Sequence, residues 1–120
     1  MIRNKIRISD NGKITVPDNI KMNIIEISHL LGLYYQQTKK AIRDIEKSNI
    51  AQGDFTTGGY VENSKIYPDY YGLDMVIAVA FRVNTYEADV FRKWILKQMT
   101  TIQNHPQQIF IRLPSNQVFN

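Results

Sequence analysis

The segment from Asn23 to Lys47 limits the possible folds of this chain more than any other stretch. Its first part spaces apolar residues three and four positions apart, which predicts a short helix with one buried stripe. The residues of this stripe are Ile24, Ile27, Leu30 and Leu31. Asn23 and Glu26 have the spacing of a capping box at the start of the helix. Gly32 follows, and glycine tolerates the positive φ that a tight turn between helices requires. Ser28, one turn earlier, is small enough to let a second helix cross closely.

A second helix is predicted after this turn. Its inward positions recur at helical spacing and are Leu33, Thr38, Ala41, Ile42 and Ile45. Its other face carries amide, phenol and cationic groups, from Tyr34, Tyr35, Gln36, Lys39, Lys40 and Arg43. Tyr34 stands where Ser or Thr commonly caps a helix, so we expect a start without a side-chain cap. Two helices joined in this way form a helix-turn-helix pattern, and in DNA-binding proteins the second helix of this pattern enters the major groove. The same helix pair also occurs in all-α domains that do not bind DNA.

Length, charge and composition narrow the class of protein. A chain of 120 residues buries one modest core, and a net charge of +4 favours a polyanionic partner such as nucleic acid. The chain has no cysteine, which excludes disulfides and thiolate metal ligands. Because no apolar run approaches the ~20 residues of a membrane span, we expect a cytoplasmic protein without a membrane partner.

The N-terminal residues 1–17 are predicted to form a β-hairpin. Apolar and basic residues alternate for most of the run from Ile2 to Ile8, and Asn11-Gly12 indicates a two-residue turn. Both central positions of such a type I′ turn need positive φ, which asparagine and glycine tolerate. Pro17 ends the second strand because proline cannot donate to a ladder.

A second hairpin is predicted at residues 60–67. The glycine-containing stretch 48–59 before it is predicted to be a loop, and residues 68–72 are predicted to be a turn. In a winged helix-turn-helix, a hairpin of this kind, called the wing, follows the recognition helix and lies along the DNA backbone. Lys65 would then be a phosphate contact.

Two further helices are predicted in residues 73–104. The nearly continuous apolar run from Leu73 to Phe81 predicts a buried central helix. Asn84 and Glu87 have the spacing of a capping box for a long last helix. That helix has an apolar stripe made of Val90, Phe91, Trp94, Ile95 and Met99. Residues 105–120 are predicted to be a tail with a β-prone part, which is expected to pair either with the N-terminal hairpin or with a second copy of the chain.

These elements together predict an α+β fold of winged helix-turn-helix type. The predicted domain covers residues 1–104, with the helix-turn-helix at 23–48, and the tail follows at 105–120. A homodimer would suit both a DNA site and the tail strand.

The block from Tyr70 to Trp94, YYGLDMVIAVAFRVNTYEADVFRKW, resembles a block of the RhuM family of bacterial virulence-associated proteins. The shared pattern is a tyrosine pair before Leu-Asp, an apolar helix, an aromatic-Arg-Val step and a Phe-Arg-x-Trp helix. Here it falls on Tyr70, Tyr71, Leu73, Asp74, Phe81, Arg82, Val83, Phe91, Arg92 and Trp94. Phage regulatory proteins of the Rha type are similar to a lesser degree. The resemblance implies a DNA-binding-like module.

The leading functional prediction is a DNA-binding domain of a transcriptional or mobile-element regulator that binds double-stranded DNA. Its expected contact residues are Tyr35, Gln36, Lys39, Lys40, Arg43 and Lys65. Gln36 is expected to read a base edge, and Lys39 or Arg43 to meet guanine or phosphate. Lys40 is expected at a phosphate. The alternative is a protein-interaction module of antirepressor type, which would use the tyrosines of the exposed face.

An enzyme is the weaker hypothesis. His29 and His105 are far apart in sequence and have no neighbouring ligand at metal-binding spacing. The chain also has no glycine loop for phosphates and no nucleophile elbow, so neither a metal nor a cofactor is expected. A nuclease would need four carboxylates to converge, those of Asp69, Asp74, Glu87 and Asp89.

Overall fold

Two antiparallel hairpins and four helices make up residues 4–103, the part of the chain that the computed structural model describes. In chain order they are β1 (Arg7–Ile8), β2 (Ile14–Thr15), α1 (Ile24–Leu31), α2 (Tyr35–Lys47), β3 (Asp54–Glu62), β4 (Lys65–Tyr70), α3 (Leu73–Ala80) and α4 (Tyr86–Gln103). The predicted α+β class is confirmed. Ile2, Arg3, His105 and the predicted tail strand lie outside the described residues.

The first hairpin is present, but the predicted two-residue turn is wrong. Gly12 has φ +85°, whereas Asn11 does not have positive φ. The loop covers residues 9–13 instead and is closed by the Ser9 amide, which donates to the Lys13 carbonyl at 2.9 Å. The side-chain oxygens of Ser9 and Asn11 both accept from the Lys13 amide at 3.1 Å. These local side-chain bonds stabilise the longer loop, which the Asn-Gly signal alone does not reveal.

Helix α1 begins and ends as predicted. The Asn23 side chain accepts from the Glu26 amide at 2.8 Å, and the Glu26 carboxylate accepts from the Asn23 amide at 3.0 Å. Gly32 ends the helix with φ 65° and ψ 39°. A Cβ at this position would meet only the flexible end of the Glu87 side chain, which could shift away. Glycine is therefore favoured at this position by the left-handed backbone conformation.

Helices α1 and α2 cross at a buried pair of hydroxyl groups. Ser28 Oγ lies 2.7 Å from Thr38 Oγ1, and carbonyl acceptors lie at 2.8 Å from Ser28 and 3.2 Å from Thr38. The predicted inward face of α2 is confirmed, with Thr38 and two isoleucines buried. The side chain of Tyr34 does not cap α2, and Gln37 Oε1 accepts from the Tyr34 amide at 2.9 Å.

The second hairpin is larger than predicted and contains the predicted segment 60–67. Strand β3 begins at Asp54, so the predicted loop 48–59 is wrong from that residue onward, and β4 continues to Tyr70 in place of the predicted turn. The turn residues Asn63 and Ser64 both have positive φ, at 52° and 65°. An irregularity between Asp54 and Gly59 interrupts the register. Because Gly58 and Gly59 lie within β3, its local composition is that of a loop.

Helix α3 supplies the centre of the core through Met75, Val76, Val79 and Ala80, all buried. The prediction that the apolar run is buried all round is wrong at Phe81, whose side chain is 51% exposed. The helix ends at Ala80, and Phe81 is its C-terminal cap residue.

Helix α4 is capped by Thr85, and the predicted Asn84 cap is wrong. Thr85 Oγ1 accepts from the Ala88 amide at 3.0 Å and donates to the Leu31 carbonyl at 2.5 Å. This hydroxyl therefore caps the start of α4 and connects it to the end of α1 by a hydrogen bond. Phe91 is buried and stacks on the partly buried Trp94, with ring centroids 6.1 Å apart. None of the helices within residues 4–103 combines the length and apolar content needed to cross a membrane.

Candidate nucleic-acid interface

The first turn of α2 presents an exposed polar and aromatic surface. Tyr34 is 81% exposed and Tyr35 is 41% exposed. Gln36 is exposed, and the Lys40 side chain, one turn further on, is 78% exposed. The burial of the opposite side of α2 in the core turns these groups outward. Phenol, amide and ammonium groups can donate to phosphate oxygens, and an amide can bond a base edge.

Lys39 lies on the same helix but has an acidic partner from the second hairpin. Its Nζ donates to Glu62 Oε2 at 2.7 Å, and Glu62 is the last residue of β3. The hydrogen bond to Glu62 raises the pKa of Lys39, and the same bond lowers the pKa of Glu62. Both shifts favour the charged pair, which joins α2 to the hairpin.

Arg43 does not lie on the exposed face predicted from the helical spacing. Its side chain is only 15% exposed, because the second hairpin covers it. The guanidinium donates to the hydroxyls of Tyr60 at 2.9 Å and Tyr71 at 3.2 Å. It also lies 3.6 Å from the ring centroid of Tyr67 and 3.3 Å from a carboxylate oxygen of Glu46. These contacts give Arg43 a structural position between α2 and the hairpin.

The electrostatics of this cluster keep Arg43 charged. Burial lowers the pKa of Arg43, but hydrogen bonds to Tyr71 and Tyr60 outweigh that effect and raise the pKa. Burial raises the pKa of Tyr71 to about 12, so its hydroxyl remains protonated at neutral pH. Burial also raises the pKa of Glu46, and the nearby Arg43 opposes that shift.

The two remaining predicted cations are exposed. Lys40 pairs with Asp44 on the same helix, with 3.2 Å between nitrogen and oxygen. Lys65 follows the turn of the second hairpin, opposite Glu62 in the register, and has no ion-pair partner within residues 4–103. Tyr35, Gln36 and Lys40 thus share the outer face of α2. Lys39 stands at its border with the hairpin, and Arg43 is inside.

An open cleft lies next to this surface and could not be predicted from the sequence. It has a volume of about 280 Å³ and lies where the starts of α1 and α2 meet the second hairpin. Its walls are formed by Asn23, Ile24, Ile25, Tyr35, Tyr60, Pro68, Asp69 and Tyr70. Three phenol rings and a carboxylate come from distant parts of the chain. No local pattern brings them together.

The described residues contain no group of three or more His, Asp or Glu side chains that could hold a metal ion. The carboxylates required by a nuclease, including Asp69 and Glu87, are among those residues. The nuclease hypothesis therefore gains no support from their arrangement.

Comparisons of the chain with protein-family models, with curated proteins and with solved structures find no match.

Proposed function

We propose that the protein is a double-stranded DNA-binding domain of a cytoplasmic transcriptional or mobile-element regulator. In this proposal α1, the Gly32 turn and α2 act as a helix-turn-helix, and β3 with β4 acts as the wing. The RhuM-like block from Tyr70 to Trp94 agrees with that assignment. The observation that carries the proposal is the exposed first turn of α2, because helix-turn-helix proteins contact bases with that part of the recognition helix.

The roles of the contact residues follow from their exposure. Tyr35 and Gln36 face outward in the first turn and are assigned to base edges or the sugar-phosphate backbone. Lys40 and Lys65 are exposed cations and are assigned to phosphates. Arg43 is no longer assigned to DNA, since its hydrogen-bonding groups are used by tyrosines and glutamates of the protein itself.

The test is fluorescence anisotropy of a labelled, mixed-sequence duplex at about 50 mM and then about 200 mM salt. We expect binding that weakens steeply with salt. The double variant Lys40→Ala/Lys65→Ala should reduce the log–log salt slope by about 0.9 for each phosphate that is no longer neutralised.

A matched control removes the same charge elsewhere. The variant Arg7→Ala/Lys13→Ala lies on the exposed surface of the first hairpin and should keep a salt slope close to that of the wild type. Equal loss in both double variants would reduce the effect to net charge and overturn the assignment of α2. Absence of binding by the wild type at low salt would overturn DNA binding itself.

A protein-interaction module is the second candidate, and the cleft beside α2 favours it. Its tyrosines and the exposed Asp69 carboxylate offer π faces and negative charge to a basic side chain. In addition, Lys39, Lys40 and Arg43 each have a carboxylate partner, which reduces the positive potential of α2. If the wild type binds no duplex, the cleft becomes the surface to test for a protein partner, and Tyr35→Ala, which removes one of its walls, is the variant expected to lose a captured partner.

A further inference from the structure

Glu62 connects α2 to the second hairpin through both oxygens of its carboxylate. Oε2 accepts from Lys39 Nζ at 2.7 Å, and Oε1 lies 3.8 Å from a guanidinium nitrogen of Arg43. Arg43 has other partners and stays buried without this contact. Lys39 has Glu62 as its one carboxylate partner within residues 4–103. The position of the Lys39 ammonium is therefore set mainly by Glu62.

The chemistry of this pair resembles that of a lysine and a phosphate. A carboxylate and a phosphate both offer anionic oxygens to the ammonium group, which acts as a compact point charge. Lys39 is 22% exposed and Glu62 is 35% exposed, so solvent and a competing anion can reach the pair. A partly exposed ion pair of this kind is weak enough to exchange one anion for another.

The other cations of α2 that form ion pairs are either paired within the helix or enclosed by tyrosines. Lys40 and Asp44 lie four residues apart on one helix, so their pairing does not involve the hairpin. Arg43 is enclosed by tyrosines and cannot turn outward without breaking the cluster. Lys39 and Glu62 lie 23 residues apart and join the proposed recognition helix to the proposed wing.

We propose that Glu62 is a positioning residue that withholds Lys39 from DNA by occupying the place of a phosphate. This inference rests on the proposed function and adds a determinant of affinity to the same surface. In the wild type the carboxylate neutralises Lys39 and repels an approaching phosphate. Removal of its charge leaves Lys39 available as an additional phosphate contact.

The test is the isosteric variant Glu62→Gln, measured by duplex anisotropy over a salt series. The amide has nearly the same shape, and its oxygen accepts from Lys39 only as a neutral and weaker acceptor, so a phosphate can displace it while the packing of the hairpin is kept. We expect several-fold tighter binding at low salt and a log–log slope steeper by about 0.9, the value for one additional phosphate contact. Urea unfolding of both proteins checks that the fold is kept.

Two further variants separate Lys39 from general charge effects. Asp10→Asn changes the net charge equally, but it lies in the exposed loop of the first hairpin and should leave the slope unchanged. In the Lys39→Met background, Glu62→Gln should give no gain, because the cation through which it acts is missing.

The outcomes distinguish the two proposals. If the wild type binds and Glu62→Gln keeps its affinity and slope, the role of Glu62 is overturned and DNA binding stands. A gain that persists without Lys39, or that Asp10→Asn reproduces, also overturns the role of Glu62. If neither the wild type nor Glu62→Gln binds duplex at low salt, both proposals fail.

Discussion

The hydroxyl groups of Ser28 and Thr38 lie 2.7 Å apart in the buried crossing of α1 and α2. Each hydroxyl has one proton, so Ser28 either donates to Thr38, which then donates to the Tyr34 carbonyl, or accepts from Thr38 and donates to the Ile24 carbonyl. Either arrangement leaves no donor of the pair unused. The pair therefore fixes the crossing without a buried unsatisfied group.

The first prediction concerns this pair. Thr38→Val keeps the shape of the side chain but removes one hydroxyl, and we expect a loss of about 1 kcal/mol in the free energy of unfolding. Ser28→Ala should cost a similar amount, and the double variant should cost less than the sum, because both single variants break the same bond. Urea denaturation of the four proteins measures this coupling. Strictly additive losses would mean that the two hydroxyls act independently.

The second prediction concerns Arg43. Arg43→Met keeps the aliphatic stem but leaves the Tyr60 and Tyr71 hydroxyls and the Glu46 carboxylate without their cation. We expect a loss of about 1–3 kcal/mol in the free energy of unfolding. Urea denaturation monitored by the fluorescence of the single tryptophan, Trp94, measures this loss.

The control for Arg43 is Lys40→Met, a cation three positions earlier on the same helix with a largely exposed side chain. A surface substitution of this kind should change stability by at most about 0.5 kcal/mol. Equal stability of the two variants would show that the Arg43 cluster does not hold the hairpin against α2.

The third prediction concerns acid stability. Hydrogen bonds from Lys21 and Thr56 lower the pKa of Asp54 from 3.8 to about 2. Because the folded-state pKa is depressed, the stabilisation is complete above about pH 4 and is lost as the pH falls toward about 2. We expect Asp54→Asn to be less stable than the wild type at pH 5, with a difference that shrinks by pH 2. The free energy of unfolding of Lys21→Met should fall less steeply than that of the wild type between pH 5 and pH 2, because its Asp54 carboxylate lacks the Lys21 hydrogen bond. Parallel curves of stability against pH for all three proteins would contradict the prediction.

Local signals account for the part of the fold that the sequence predicts. The Asn23 capping box, the Gly32 turn and the helical spacing of apolar residues are each set within a few residues, and the structure contains all three. Helix α3 is predicted for the same reason. The end of α3 at Ala80 is harder to predict from the sequence, because Phe81 continues the apolar run.

Contacts between distant residues account for the part that is missed. Strand β3 begins at Asp54 because Asp54 pairs with Tyr70, and local composition does not reveal this partner. Arg43 is removed from the surface by Tyr60 and Tyr67 of the same hairpin and by Tyr71, which follows β4 and lies 28 residues away. Helical spacing predicts which face of α2 meets α1, but it contains no information about what covers the opposite face. The sequence therefore predicts correctly that Tyr35, Gln36 and Lys40 lie on the exposed face of α2. That these residues contact DNA remains a prediction.

The last prediction separates base reading from phosphate contact on α2. Once a preferred duplex has been selected from a random library, Gln36→Ala should weaken the preference for it over mixed DNA. A bidentate amide contact to adenine contributes ~1–3 kcal/mol of discrimination, so its loss lowers the ratio of the two affinities about 10-fold or more. The salt slope should stay the same, since glutamine neutralises no phosphate.

Gln37→Ala is the matched control, because the neighbouring glutamine uses its side-chain oxygen to accept from the Tyr34 amide at 2.9 Å. That change weakens the start of α2 and should lower stability while it leaves the preference between duplexes intact. Lys40→Ala should change the other quantity: it should reduce the salt slope by about 0.9 and leave the preference between the two duplexes unchanged. If Gln36→Ala lowers the affinity for both duplexes equally, Gln36 contacts the backbone and the base-reading residue lies elsewhere on α2.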